Sequence, residues 1–364
     1  MKKMKTKKRM LILSGRKALL KQCDGAGVAA IETAIADYCQ RISDEYFARF
    51  QYYDDPTIFT VKPAKKNAKA IRNLILDTEK KWGTIDYILI IGGDAVVPFF
   101  RLPNPCDDSD AKVVSDSPYA SRDDDFLIPE RVCARIPDNK SADFIIKQLN
   151  KPVLNYPAVN KTHQAFGLTA KVWLKASQNV YRQIGKIKDL KVSPPVTSDK
   201  FEDKWLQDKD FIYFNVHGSD ESANWYGQDG DDYPVALSPD NIIDASGIVA
   251  SEACYGANII KRTSKNAICL RYMDQDNILC FCGSTTIAYG PSVPPSSEAD
   301  LLVKYFFEYV KQGLPVGACL LNAKRDFARK ALRRHGFLDD DDQKTLLQFV
   351  LYGDPTLRIS PALS

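Results

Sequence analysis

The chain has 364 residues, 45% of them hydrophobic, and carries 50 Lys+Arg against 46 Asp+Glu for a formal net charge of +4. That composition supplies a sizeable core, or two domains of about 150 residues each. Near charge balance, without interleaved basic and aromatic residues, argues against a nucleic-acid partner, and no run approaches the roughly 18 apolar residues of a membrane span.

The basic run Met1 to Arg9 holds much of the excess charge and reads as a solvated terminus. A secretory signal needs an apolar stretch of about 7–15 residues. Here Met10–Leu13 runs directly into Ser14-Gly15-Arg16-Lys17, so it reads as a first strand. The cysteines number nine, an odd count without metal-ligand spacing, and Cys280 and Cys282 lie in a strand-like run. They read as reduced thiols, which points to a cytoplasmic location.

Periodicity then predicts a long amphipathic helix over Val28–Phe50, a strand over Ile58–Val61, a helix over Asn67–Lys81 and a strand over Tyr87–Ile91 that ends on Gly92-Gly93. Residues Pro103 to Pro129 are rich in Pro, Asp and Ser, and so long an excursion in a compact domain is usually functional or mobile. Its carboxylates Asp107, Asp108 and Asp110, and Asp123 to Asp125, offer a structural calcium site without EF-hand spacing; no other cofactor is expected. A strand over Val132–Ile136 and a helix over Ser141–Leu149 follow. The pattern loosens across Pro152–Lys161, which divides the chain into an N-terminal α/β subdomain, 1–152, and a second subdomain, 153–364.

The second half is read as a strand over Ala165–Leu174, a helix over Ser177–Ile187, two short strands ending near His217 and Cys254, and a buried strand over Ile278–Tyr289. Helices close the chain at Glu298–Gln312, Val316–Leu332 and Gln343–Val350, with Asp339 to Asp342 supplying negative charge to the start of the last one. Alternating strands and helices predict an α/β sandwich with a mostly parallel sheet. The pattern GxxxxGK[ST] is absent, which argues against nucleotide hydrolysis.

Two of these strands carry chemistry. Phe211 to Val216 leads into His217-Gly218-Ser219, and Gly247 to Glu252 leads into Ala253-Cys254-Tyr255-Gly256. Buried parallel strands end in this way, and catalytic groups collect at their carboxyl ends. The two residues are 37 positions apart, enough for a crossover. A thiol that attacks a carbonyl and an imidazole that moves the proton are what amide cleavage needs.

The surroundings of this pair resemble the gingipain-type cysteine peptidases of the caspase-like group, clan CD. His217-Gly218-Ser219 with Trp225-Tyr226-Gly227 is similar to that family's histidine loop, and Ala253-Cys254 with Gly256 to its nucleophile turn. Tyr87 to Asp94 with Val97-Pro98, Ser115 to Tyr119 with Arg135-Ile136-Pro137, and Leu351 to Leu357 resemble three further blocks in the same order. The resemblance implies a caspase-like α/β/α sandwich of two subdomains and a dyad of Cys254 and His217 that is loosely spaced in the free enzyme. It also implies an oxyanion hole from the N–H groups of Gly218 and Cys254, protein or peptide substrates, and activation by self-processing or by another protease. Arg122, Arg131 and the Lys186 to Lys200 region are the candidate cuts. Gingipains are secreted, and in this the sequence departs from them.

Specificity is read from Glu252, which shares a strand face with Cys254 about two rises of 3.3 Å away. A carboxylate there is costly to bury unpaired, and a substrate arginine or lysine would pair with it; the alternative is an internal Arg or Lys partner. In the resembled families the position two before the cysteine lines the pocket for the residue preceding the cut bond. Asn215 and Tyr289 are further candidate walls, and Ser177 stands in the segment from which gingipains supply a pocket acid. The competing functions are a noncatalytic interaction module on the same fold, which would need neither His217 nor Cys254, and an acyl-transferring relative.

Overall fold

The computed structural model describes residues 6–151 and 163–359. Its centre is one ten-stranded sheet made from the short apolar runs. In chain order the strands are β1 (Lys8–Ser14), β2 (Tyr46–Tyr52), β3 (Tyr87–Ile91), β4 (Val132–Ile136), β5 (Ala165–Ala170), β6 (Lys191–Ser193), β7 (Phe211–Asn215), β8 (Ser246–Ser251), β9 (Asn277–Ser284) and β10 (Phe349–Gly353). Their spatial order is β2-β1-β3-β4-β10-β9-β8-β7-β5-β6. The pairs among β1 to β4 are parallel, as are those among β5 to β9. The closing strand β10 runs antiparallel to β9 and meets β4 at Tyr352 and Arg135, so the last segment of the chain joins the two halves of the sheet.

Helices α1 (Arg16–Gln22), α2 (Gly25–Arg41), α3 (Ala68–Trp82), α4 (Ala142–Leu149), α5 (Leu174–Tyr181), α6 (Ile268–Met273), α7 (Glu298–Lys311), α8 (Val316–His335) and α9 (Asp340–Gln348) flank the sheet. None among the described residues is long and apolar enough to cross a membrane. Strand alternation decides which side each covers. On β7, Phe211 and Tyr213 meet Phe307 of α7, with ring centroids 5.9 and 6.3 Å apart. Phe214 points the other way, to Trp225 at 5.1 Å and to Tyr272 of α6 at 5.9 Å. Both faces are therefore buried, which is why the strand reads as a continuous apolar run.

Several boundaries differ from expectation. The helix expected over Val28–Phe50 stops at Arg41, and Tyr46–Tyr52 is the edge strand β2. The first part of its run, Tyr46-Phe47-Ala48-Arg49, alternates buried and exposed positions, a period-2 pattern hidden at the end of a longer helical one. Ile58–Val61 forms no strand; its Phe59 packs on Trp82 at 5.1 Å from within a loop. The expected strand over Ala165–Leu174 ends at Ala170, and the helix expected from Ser177 begins at Leu174. The last expected helix gives way at Phe349 to β10. It also starts three residues earlier than expected, at Asp340, with the acidic run forming its first turn: Asp339 accepts from the Asp342 N–H and the Asp342 side chain from the Asp339 N–H. The subdomain boundary expected at 152 falls at the edge of 152–162, outside the described residues.

Candidate active site

Neighbouring parallel strands bring the two loops together. Ser251 of β8 pairs with Phe214 of β7, and Cys254 and His217 each lie three residues beyond that pair. The turn that carries Cys254 then reverses sharply, with Tyr255 at a φ of 55°. Cost at such a left-handed position is recovered only where the surroundings fix it. Here Tyr255 donates its hydroxyl to Asp110 at 2.7 Å, and its N–H to the Thr286 carbonyl at 3.0 Å.

The Cys254 thiol sits against the strand-ending loop of β9. Its Sγ accepts from the Ala288 N–H at 3.3 Å and donates to the Ala288 carbonyl at 3.5 Å. Burial pushes its pKa up, partly offset by the Ala288 N–H, so the resting group is a neutral thiol. His217 is half-buried between Trp173, 4.3 Å away centroid to centroid, and Tyr233, at 5.3 Å. Its Nε2 lies 2.8 Å from Gln228 Oε1. Burial lowers the imidazole pKa and the Gln228 bond opposes that, so His217 rests neutral and able to accept a proton.

Among the described residues His217 makes no hydrogen bond to Cys254; the loops touch through their backbones instead. A Cβ at Gly218 would lie 2.0 Å from the Cys254 carbonyl oxygen, so only glycine fits there. Among the described residues neither the Gly218 N–H nor the Cys254 N–H donates to the backbone of another residue.

Beside the thiol lies a slot lined by Trp173, Asn215, Glu252, Tyr289, Gly290 and Ala299. Glu252 falls just past the end of β8, yet it faces the same slot as Cys254. Its Oε1 and both carboxylate oxygens of Asp300 are buried without a hydrogen-bond partner. Asp300 reaches this floor from the first turn of α7: a Cβ at Gly290 would lie 2.7 Å from its Oδ2. Burial, and next the neighbouring Asp300 charge, raise the Glu252 pKa well above the carboxylate range; burial, and next Glu298, push Asp300 up to about 8. No Lys or Arg among the described residues forms an ion pair with either acid. The internal partner considered for Glu252 is thus not found there.

Other candidate residues are placed differently. Ser177 is fully buried outside the slot lining, bonded to Thr169 Oγ1 at 2.7 Å, and it accepts from Asn215 Nδ2 at 3.0 Å. It supports the Asn215 wall and does not line the slot. Asp108 and Asp110 close on the fully buried Lys344 ammonium, at 2.7 Å for Asp110, so an internal cation occupies the place considered for calcium. Lys344 and Tyr289, outweighing burial, hold Asp108 down at about 2. In the second cluster Asp124 pairs with Arg72 at 3.1 Å. Arg131, a candidate cut site, is 1% exposed and paired with Glu79, hence inaccessible in the folded protein.

Gln228, Asp300, Trp173 and Lys344 were not singled out from sequence. Gln228 follows the Trp225-Tyr226-Gly227 block and could have been found by extending it. Asp300 carries no such signal, because an acid in a first helical turn is ordinary.

The Peptidase family C25 model matches residues 5–360. The chain belongs to Peptidase family C25, the gingipain family. This family C25 chain is a cysteine peptidase with the family's caspase-like α/β fold, and it takes protein or peptide substrates. Its fold is similar to a complex of the pro- and mature domains of RgpB from Porphyromonas gingivalis, with a TM-score of 0.67 at 13% identity over 98% of this chain and 81% of that one. It is likewise similar to the Arg-specific cysteine proteinase gingipain R, with a TM-score of 0.63 at 14% identity over 97% of this chain and 78% of that one. A third solved structure, described as a protease, matches with a TM-score of 0.63 at 15% identity, over 96% and 78%. No curated protein matches the C25 chain in sequence.

Proposed function

We propose that this peptidase is an endopeptidase that cuts after arginine or lysine, with Cys254 as nucleophile and His217 as general acid and base. The observation that carries the specificity is the floor of the slot, where Glu252 and Asp300 lie buried with no cation among the described residues paired to them. Burial keeps two such carboxyls protonated, and a guanidinium or ammonium supplied by substrate takes the place of the proton.

The chemistry follows from the loop arrangement. With the basic side chain in the slot, the scissile carbonyl lies over the thiol, and its oxygen points at the Gly218 and Cys254 N–H groups. His217 takes the thiol proton as sulfur bonds to the carbonyl carbon. The oxygen gains charge against the two donors, and each donor of this kind is worth about 2.7–4 kcal/mol in the transition state. The C–N bond breaks as His217 returns the proton to the leaving amine. Water, activated by His217, then releases the acyl group and regenerates the thiol.

Self-processing at the exposed Arg122 or in the Lys186 to Lys200 region is part of the proposal. The structural relative that combines RgpB pro- and mature domains favours it by analogy. Fluorogenic peptides that differ only in the residue before the cut bond test the specificity. Arginine or lysine is expected to be cleaved and aspartate refused; equal cleavage of both, or unchanged selectivity in Glu252→Gln, overturns it.

A further inference from the structure

His217 has two ring nitrogens, and only one is free for chemistry. Its Nε2 is 2.8 Å from Gln228 Oε1. An amide can be turned over, but here its neighbours fix which end faces the histidine. Gln228 Nε2 donates to the Gly230 carbonyl at 3.0 Å, and it lies 2.8 Å from the Tyr233 hydroxyl. Turning the amide would set its oxygen against the Gly230 oxygen and its NH2 against the imidazole. In the observed orientation Oε1 can only accept, so His217 Nε2 must carry a hydrogen.

The ring cannot readily turn over to escape this. Trp173 packs on it at 4.3 Å and Tyr233 at 5.3 Å, while its backbone is paired in both directions with Tyr226 at 2.9 Å. Tyr233 thus holds both the ring and the amide that orients it. The loop from Trp225 to Tyr233 supplies this cradle apart from Trp173, and its Trp225–Tyr226 strand pairs with Val235–Leu237.

Resting on the reading of His217 as the acid and base, we propose that Gln228 is a positioning residue that holds His217 in its Nε2–H form and leaves Nδ1 to exchange the proton with Cys254 and with the leaving amine. An amide differs from a carboxylate here in one respect. It fixes the tautomer and, having no charge, stabilises the imidazolium less than a carboxylate would, so with burial dominating His217 stays a neutral base until the thiol gives up its proton.

The tautomer can be read without turnover. With three histidines in the chain, 15N-edited spectra of Cys254→Ala protein resolve His217, and they are expected to show a protonated Nε2 and a bare Nδ1 near pH 8. A protonated Nδ1 overturns the proposal even if the enzyme cleaves its substrates as expected. In active protein, Gln228→Ala is expected to lower kcat at least about tenfold with little change in KM, a part of the roughly 10²–10⁴ that a placed acid and base supplies. Gln228→Glu keeps the acceptor and adds charge. It is expected to retain the Nε2–H form and to move both the His217 titration and the acid limb of the kcat/KM profile upward by the same amount. A Gln228→Ala enzyme with wild-type kcat, or a Gln228→Glu enzyme with an unmoved His217 titration, counts against the assignment.

Discussion

Gly218 stands directly against the carbonyl oxygen of Cys254, so that a methyl group at Gly218 would come within 2.0 Å of it. The loops that carry His217 and Cys254 are thereby set at one spacing by backbone contact. Gly218→Ala is expected to push them apart and to withdraw the Gly218 N–H from the substrate oxygen. A loss of kcat of about 10²–10³ follows from one lost donor. Active-site titration with single-turnover kinetics measures it; a variant with unimpaired acylation would show that this contact does not set the site.

Cys254→Ala and His217→Ala are each expected to abolish turnover, with thermal stability close to that of the parent because both side chains are small parts of loops. The resting state of the pair is open to a second measurement. Burial raises the thiol pKa and lowers the imidazole pKa, so the dyad in the free enzyme is neutral and not an ion pair. Alkylation of Cys254 by iodoacetamide is therefore expected to climb with pH at and beyond the ordinary thiol range. A rate already level at pH 6, as a preformed thiolate gives, would contradict this.

The two carboxyls under the slot make substrate binding depend on pH. Glu252 and Asp300 hold protons because burial raises both pKa values, helped at Glu252 by the Asp300 charge and at Asp300, which reaches about 8, by the Glu298 charge. A basic side chain must displace a proton, so KM for an arginine substrate is expected to fall as pH rises toward 8, while KM for a neutral residue at that position stays level. Stability moves the opposite way. The unfolded acids lose their protons near pH 4 and the folded ones at higher pH, Asp300 at about 8, so the folded state binds more protons above pH 4 and loses stability as pH rises toward 8. Asp300→Asn is expected to flatten that loss and to weaken arginine over neutral substrates. Melting curves from pH 5 to 9, beside KM profiles, separate the two effects.

The two strands that carry Cys254 and His217 were legible in the sequence because β7 and β8 are buried on both faces and end in glycine-containing turns, which makes each a short apolar run with a polar stop. The outer parts of the fold were less so. In Val28–Phe50, helix and edge strand meet without a glycine or proline between them, and Gln348-Phe349 joins α9 to β10 with no turn residue at all. Punctuation by turn chemistry is what a single sequence reveals best. Glu252 was visible because it neighbours the cysteine. Asp300 comes from α7, 46 residues after Cys254, and only the tertiary contact behind Gly290 gives it a role.

The wall of the slot depends on a buried ion cluster contributed by the long Pro103–Pro129 excursion. Lys344 of α9 has no exposed surface, and its ammonium meets Asp108 and Asp110. Those acids are also the supports of the site, since Tyr289 donates to Asp108, while Tyr255 and the Ile287 N–H donate to Asp110 at 2.7 and 2.8 Å. Lys344→Met removes the cation and leaves two largely buried carboxylates facing each other. Breaking a buried pair in this way costs about 3–5 kcal/mol, and a denaturant titration is expected to return a loss of that order. Because Tyr289 lines the slot and Ile287 precedes the Ala288 that holds the thiol, the variant is expected to show raised KM and lowered kcat together, even at temperatures where it is fully folded. The double variant Lys344→Met with Asp108→Asn relieves one of the opposed charges and is expected to recover part of the stability. Equal losses in the single and double variants would mean that the lysine acts by packing and not by charge.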